Sequence, residues 1–181
     1  MRYGRDIFTE RLLLRRWREV DREPFARMNA DPIVMEYFPA PLSHEESNAM
    51  VDRCEAHFAD HGFGPWAVEL RSTGEFTGYI GLVVPRFQAH FTPCVEIGWR
   101  LAAEHWGQGL ATEGAQVAMD YGFCELGLGE IVSFTVPDNL RSRRVMEKLG
   151  MTHNPADDFD HPNLTEHHPL RLHVLYRKCR S

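Results

Sequence analysis

Three things are scarce in this sequence: paired cysteines, long apolar runs and an excess of positive charge. Its four cysteines, Cys54, Cys94, Cys124 and Cys179, stand far apart with no CxxC spacing. That argues against a zinc knuckle or a redox motif and leaves free thiols. No run approaches the roughly 20 apolar residues that cross a bilayer. The N-terminal MRYGRDIFTERLLLRRW has arginines but no uninterrupted apolar segment or small-residue cleavage site, so no secretory leader is read there and a cytoplasmic location is expected. Formal net charge is −6, and apart from Arg15-Arg16 and the run 141–144 the basic residues are dispersed. The electrostatic footprint of a nucleic-acid binder is missing, and no membrane partner is expected either.

What is present is the composition of a soluble globular protein, 43% hydrophobic and 25% charged over 181 residues. One domain spanning 1–181 is the expectation, large enough to bury a core without metals or disulfides. Strand signals fall at 10–17, 66–70, 76–84, 95–101, 131–136 and 170–177. A helical pattern begins at Asp21, a candidate N-cap, and runs to the Asp31-Pro32 break. Ser43 with Glu46 three residues later forms a capping-box signature for a helix to about residue 60. A third helix spans about 111–126, and Asn139 caps a fourth that Gly150 closes. The order implies an α+β domain around a mixed sheet.

The most informative stretch is RLAAEHWGQGLATEGA, residues 100–115. Glycines at 107 and 109 sit between a strand and a helix start, where unpartnered backbone amides and the helix dipole favour an anion. A P-loop would end in GK[ST], but Leu110 and Ala111 follow Gly109. A dinucleotide fingerprint would need a small residue at Thr112 and an acid after the next strand, whereas Glu130 precedes it. A phosphate-bearing ligand of another kind is left, beside a simple glycine turn.

Several segments together resemble the GNAT acyltransferases: TERLLLRRW, a DP followed by aromatics near Tyr37, GYIGL, EIGWRLAAEHWGQGLATEGA and NLRSRRVMEKLGM. More narrowly they resemble the branch that includes RimJ/RimL-type ribosomal-protein N-terminal acetyltransferases. The likeness covers nearly the whole chain. It implies the GNAT fold, a mixed, mostly antiparallel twisted sheet of six to seven strands with about four helices, splayed between the fourth and fifth strands. It implies acetyl-CoA as donor, with no metal, and an acetyl group passed by direct attack to a primary amine. The acceptor would be a protein or peptide N-terminus or a small-molecule amine, and the protein a monomer or homodimer.

By the same resemblance, backbone amides of Trp106, Gly107, Gln108, Gly109, Leu110, Ala111 and Thr112 hold the cofactor pyrophosphate. Trp106 departs from the pattern, which carries Gln or Arg there. The pantetheine arm would lie between Ile97, Trp99 and Leu101 on one strand and Phe134 to Val136 on the next, with Asn139 meeting it or serving only as N-cap.

Acetylating an amine requires a proton acceptor, a stabilised oxyanion and an acid for the leaving thiolate. Glu96 is the first candidate base, and His161 with Asp160 the second. Backbone amides around 97–99 are candidates for the oxyanion. The tyrosine many relatives use as acid is replaced by Met146, and Ser142 matches the serine the RimL-type branch carries near the sulfur. His57 and His61 have helical metal-ligand spacing but no third ligand, which reads as a surface pair. Acidic residues around Glu36, Glu45, Glu46 and again at Asp157, Asp158, Asp160 and Glu166 would favour a cationic acceptor. The alternative is a non-catalytic acyl-CoA-binding module of the same fold.

Overall fold

The computed structural model describes residues 5–180; Met1 to Gly4, read above for a leader, and Ser181 lie outside them. Strands β1 (Ile7–Phe8) and β2 (Leu12–Arg15) are followed by helices α1 (Arg22–Ala30) and α2 (His44–His61). Next come β3 (Pro65–Leu70), β4 (Phe76–Val83), β5 (Glu96–Leu101) and α3 (Leu110–Cys124). The chain ends with β6 (Glu130–Thr135), α4 (Leu140–Lys148), β7 (Thr152–His153), β8 (Phe159–Asp160) and β9 (Leu172–Cys179). The sheet order is β1-β2-β3-β4-β5-β6-β9-β7, with β8 also paired to β9. That makes nine strands among the described residues rather than six to seven. The additions, β1, β7 and β8, are two residues each, too short to carry the alternation by which a strand is read.

Every strand pair is antiparallel except β5 with β6, which share one register position, Glu96 opposite Val132. Beyond it the two strands diverge, which is the expected splay. The apex is pinned: Val132 N–H donates to Val95 C=O at 2.9 Å, and Ser133 Oγ donates to Ile97 C=O at 2.8 Å.

Alternation along the strands assigns the two faces of the sheet. Tyr79, Glu96, Gly98 and Arg100 share one face. Helices α1 and α2 cover it, since Phe25 meets Tyr79 edge-on at 6.1 Å and the Arg100 guanidinium donates to Asn29 Oδ1 at 2.6 Å and meets Met50 Sδ of α2 at 3.9 Å. The other face carries Ile80, against which α3 packs so closely that a Cβ on Gly114 would stand 2.4 Å from the Ile80 side chain. Met146 of α4 is buried in the same core.

The α2 capping box forms as read: Ser43 Oγ accepts from Glu46 N–H and the Glu46 carboxylate accepts from Ser43 N–H. Asp21 does not cap α1 with its side chain. Its carboxylate turns inward and accepts two bonds from Arg15, at 2.7 and 2.8 Å, with both side chains almost fully buried. His57 is likewise no surface residue. It is buried, its Nδ1 lies 2.8 Å from Phe63 C=O, and its Nε2 accepts from Val84 N–H at 2.9 Å. Burial holds its pKa low. With both ring nitrogens engaged it ties α2 to the end of β4 and has no lone pair to offer a metal. Among the described residues no group of three or more metal-ligating side chains occurs, and no helix is long and apolar enough to cross a membrane.

Candidate active site

The loop from β5 to α3 has the form its glycines demand. Gly107 and Gly109 adopt φ of 73° and 79°, the left-handed region where a side chain is strained, and Gly109 is the N-cap residue of α3. None of the amides of residues 107–112 donates to a backbone carbonyl among the described residues. The Leu110 side chain is buried in the core, so this residue faces the loop's concavity only through its backbone.

A clamp that sequence reasoning missed fixes the loop from below. Glu113, in the first turn of α3, accepts from Thr9 Oγ1 at 2.5 Å, Arg11 N–H at 2.9 Å and Arg11 Nε at 2.7 Å. Those hydrogen bonds outweigh its desolvation and hold its carboxyl below the ordinary range. Arg11 so held donates Nη1 to Gln108 C=O at 2.9 Å. In a trans peptide the carbonyl and the following N–H point in opposite directions. Drawing the Gln108 carbonyl toward Arg11 therefore turns the Gly109 N–H the other way, into the loop. The signal lay in TERLLLRRW, which was read as a strand and as part of the family resemblance but not connected to the loop.

Trp106 is explained by its contacts. Its indole N–H donates to Leu101 C=O at 2.8 Å, tying the loop to the end of β5. The Arg141 guanidinium lies over the indole ring, 4.5 Å from its centroid. Arg141, from the first turn of α4, also pairs with Glu36 at 2.5 Å and lies 5.7 Å from the Tyr37 ring centroid. The position that lacks Gln or Arg thus has a guanidinium stacked on it from another element.

In the gap, Ile97, Trp99 and Leu101 turn their backbone polar groups to the side facing β6, because alternate residues share an edge. The Ile97 carbonyl is occupied by Ser133 and that of Leu101 by Trp106. The Trp99 peptide lies between them. The Ile97 and Leu101 side chains are core. Asn139 is the N-cap of α4: its Oδ1 accepts from Ser142 N–H at 3.2 Å and its Nδ2 donates to Thr135 Oγ1 at 2.9 Å. Ser142 is half-buried at the start of α4.

Glu96 stands at the apex, on the α1–α2 face. Its Oε1 leans along the strand over Gly98, 3.8 Å from where a Cβ would be. Although part of the residue remains accessible, desolvation pushes its carboxyl up to about 8. Ser142 belongs to α4 on the opposite face, so the two reach each other only through the splay. Asp160 and His161 do not form a pair. Asp160 pairs with Arg171 at 3.0 Å, whereas His161 enters a ring cluster, 4.8 Å from Phe87 and 5.0 Å from His173. Burial holds its pKa low. Phe134 points into the same cluster.

A cavity of about 400 Å³ between α1 and the start of β4, lined by Asp31, Glu75 and Glu104 among others, touches none of these residues.

The family pattern described as the acetyltransferase (GNAT) domain matches residues 11–152. The chain belongs to the GNAT acetyltransferases. The uncharacterized protein YkkB of Bacillus subtilis (strain 168) is 33% identical to this GNAT chain over 146 residues, 80% of this chain and 84% of that protein. The FsC-acetyl coenzyme A-N(2)-transacetylase of Aspergillus fumigatus is 35% identical over 141 residues, 73% of this chain and 58% of that one. In fold, this GNAT domain superposes on Mycobacterium smegmatis RimJ in complex with CoA-disulfide with a TM-score of 0.72 and 21% identity, covering 93% of this chain and 81% of that one.

Proposed function

We propose that residues 1–181 act as one cytoplasmic GNAT domain of RimJ/RimL-like type that transfers an acetyl group from acetyl-CoA to a primary amine. The observation that supports this best is a single one: a loop of unpartnered amides opens directly onto the β5–β6 gap, whose apex holds a desolvated carboxylate. The residues fit coenzyme A. The 107–112 amides and the α3 N-terminus match a pyrophosphate, and the Trp99 edge and Asn139 match an amide-bearing pantetheine arm. When bound, acetyl-CoA supplies the thioester carbonyl that the amine attacks.

Glu96 takes the proton of the incoming ammonium, directly or through one water, and its raised pKa suits a base working near neutral pH. The Trp99 N–H donates toward the oxygen of the reacting carbonyl. From the opposite face Ser142, through its hydroxyl or a water it holds, delivers a proton toward the sulfur. Base and acid are thereby kept apart, which prevents their direct neutralisation. The test is thiol release from acetyl-CoA with a panel of amines, alongside thermal stabilisation by ligands. Amine-dependent thiol release with protection by coenzyme A is expected. Protection by ATP or NAD but not by coenzyme A would sink the reading.

A further inference from the structure

The carboxylates that crowd the acceptor side in sequence are mostly committed within the fold. Asp157 accepts from Arg177 at 2.8 Å and Asp158 lies 2.7 Å from His153. Asp160 holds Arg171 and Glu36 holds Arg141, while Glu46 closes the α2 capping box. Glu45 and Glu166 are exposed. A linear polycation therefore meets few uncommitted charges here. Glu96, by contrast, makes no ion pair among the described residues.

On the β6 side Glu96 is bordered by apolar side chains. Its register partner Val132, and Cys94 two residues before it, belong to a second apolar cluster with Phe91, Phe159 and Leu175. Strand alternation carries that face from Glu96 across to Phe134 and His173. Phe87, Phe134, His161 and His173 are each half-buried. Phe87 lies 5.8 Å from Phe134, and His173 lies 5.9 Å from Phe134. The rings thus form a continuous wall with surface still open to a ligand. Burial holds both imidazoles low, so at neutral pH the wall is uncharged.

From this we infer that the acceptor is a primary amine carried on an aromatic body, an arylalkylamine, with its nitrogen at Glu96 and its ring against Phe87, Phe134 and His161. This deepens the acetyltransferase reading and rests on it. The reaction forms the amide N–C bond and breaks the thioester C–S bond, the amine proton passing to Glu96 and the sulfur gaining one on the Ser142 side. An aromatic ring placed against this wall gains buried contact that the spaced charges of spermidine cannot make.

The experiment compares kcat/KM for 2-phenylethylamine and spermidine in wild type, Phe87→Ala and Phe87→Leu. It is accompanied by calorimetric titration of 2-phenylethylamine into protein saturated with CoA. We expect wild type to favour the aryl amine by about tenfold or more. Phe87→Ala should erase that preference without changing CoA affinity, and Phe87→Leu should retain part of it and covers the case in which Ala does not fold. Equal or better use of spermidine, or a preference that survives Phe87→Ala, overturns the inference. If CoA binds but no amine releases thiol, the acetyltransferase reading fails instead. The titration then decides the wall separately, and absence of binding overturns it as well.

Discussion

On the proposed reading Glu96 is the base, and its environment makes two separate predictions. As a base with a pKa of about 8, it should give a kcat/KM that rises with pH and levels off above about 8. Glu96→Gln should remove that limb and lower kcat by about 10²-fold, measured by steady-state thiol release. Stability should move the other way. Folding raises this carboxyl from 4.5 to about 8, so between those values the folded state binds more protons than the unfolded one and stability falls as pH rises. Melting temperatures of wild type should therefore drop relative to Glu96→Gln across that window; parallel curves would mean the carboxyl is not desolvated. Ser142 should matter less. A thiolate leaves readily, so Ser142→Ala is expected to cost under about tenfold in kcat, most visibly at high pH where other proton sources fail. A pH-independent loss would point to a packing role for the hydroxyl.

Among elements, the β5–α3 loop was legible in sequence because its signal is local: two glycines with positive φ and a helix start occupy adjacent positions. The parts that were not legible are those brought by distant segments. Arg11 reaches Gln108 from just before β2, Ser133 closes the apex from β6, and the wall on the Glu96 face unites residues 87, 134, 161 and 173. None of these pairings leaves a periodic trace along the chain. His161 shows how this misleads, since it was paired with its sequence neighbour Asp160, yet Asp160 turns to Arg171 while His161 joins the ring cluster. For the loop itself, Gly109→Val should force a β-branched side chain into the left-handed region and weaken CoA binding by about tenfold or more, read by calorimetry, before it alters turnover at saturating donor. Arg11→Ala should raise the KM for acetyl-CoA while leaving kcat near wild type, because it frees the Gln108–Gly109 peptide without touching the reacting atoms. A fall in kcat with KM unchanged would place Arg11 elsewhere in the mechanism.

The whole molecule is tied together by two kinds of arginine contact. Arg15 and Asp21 are buried together, 3% and 1% exposed, so Asp21→Ala leaves a charged guanidinium only partly compensated by Glu69. We expect a loss of about 3–5 kcal/mol in chemical denaturation, nearly independent of salt. A change under 1 kcal/mol would show that Glu69 suffices. Arg141 is the opposite case, 54% exposed against a Glu36 that is 49% exposed, so its ion pair is worth little and exchanges readily. It also joins three segments: the α1–α2 connection, the β5–α3 loop and the start of α4. Any phosphate that draws Arg141 away from Glu36 must, by reciprocity, be bound less tightly whenever Glu36 is held in place. The donor loop and the α1–α2 connection would then report on each other through one side chain.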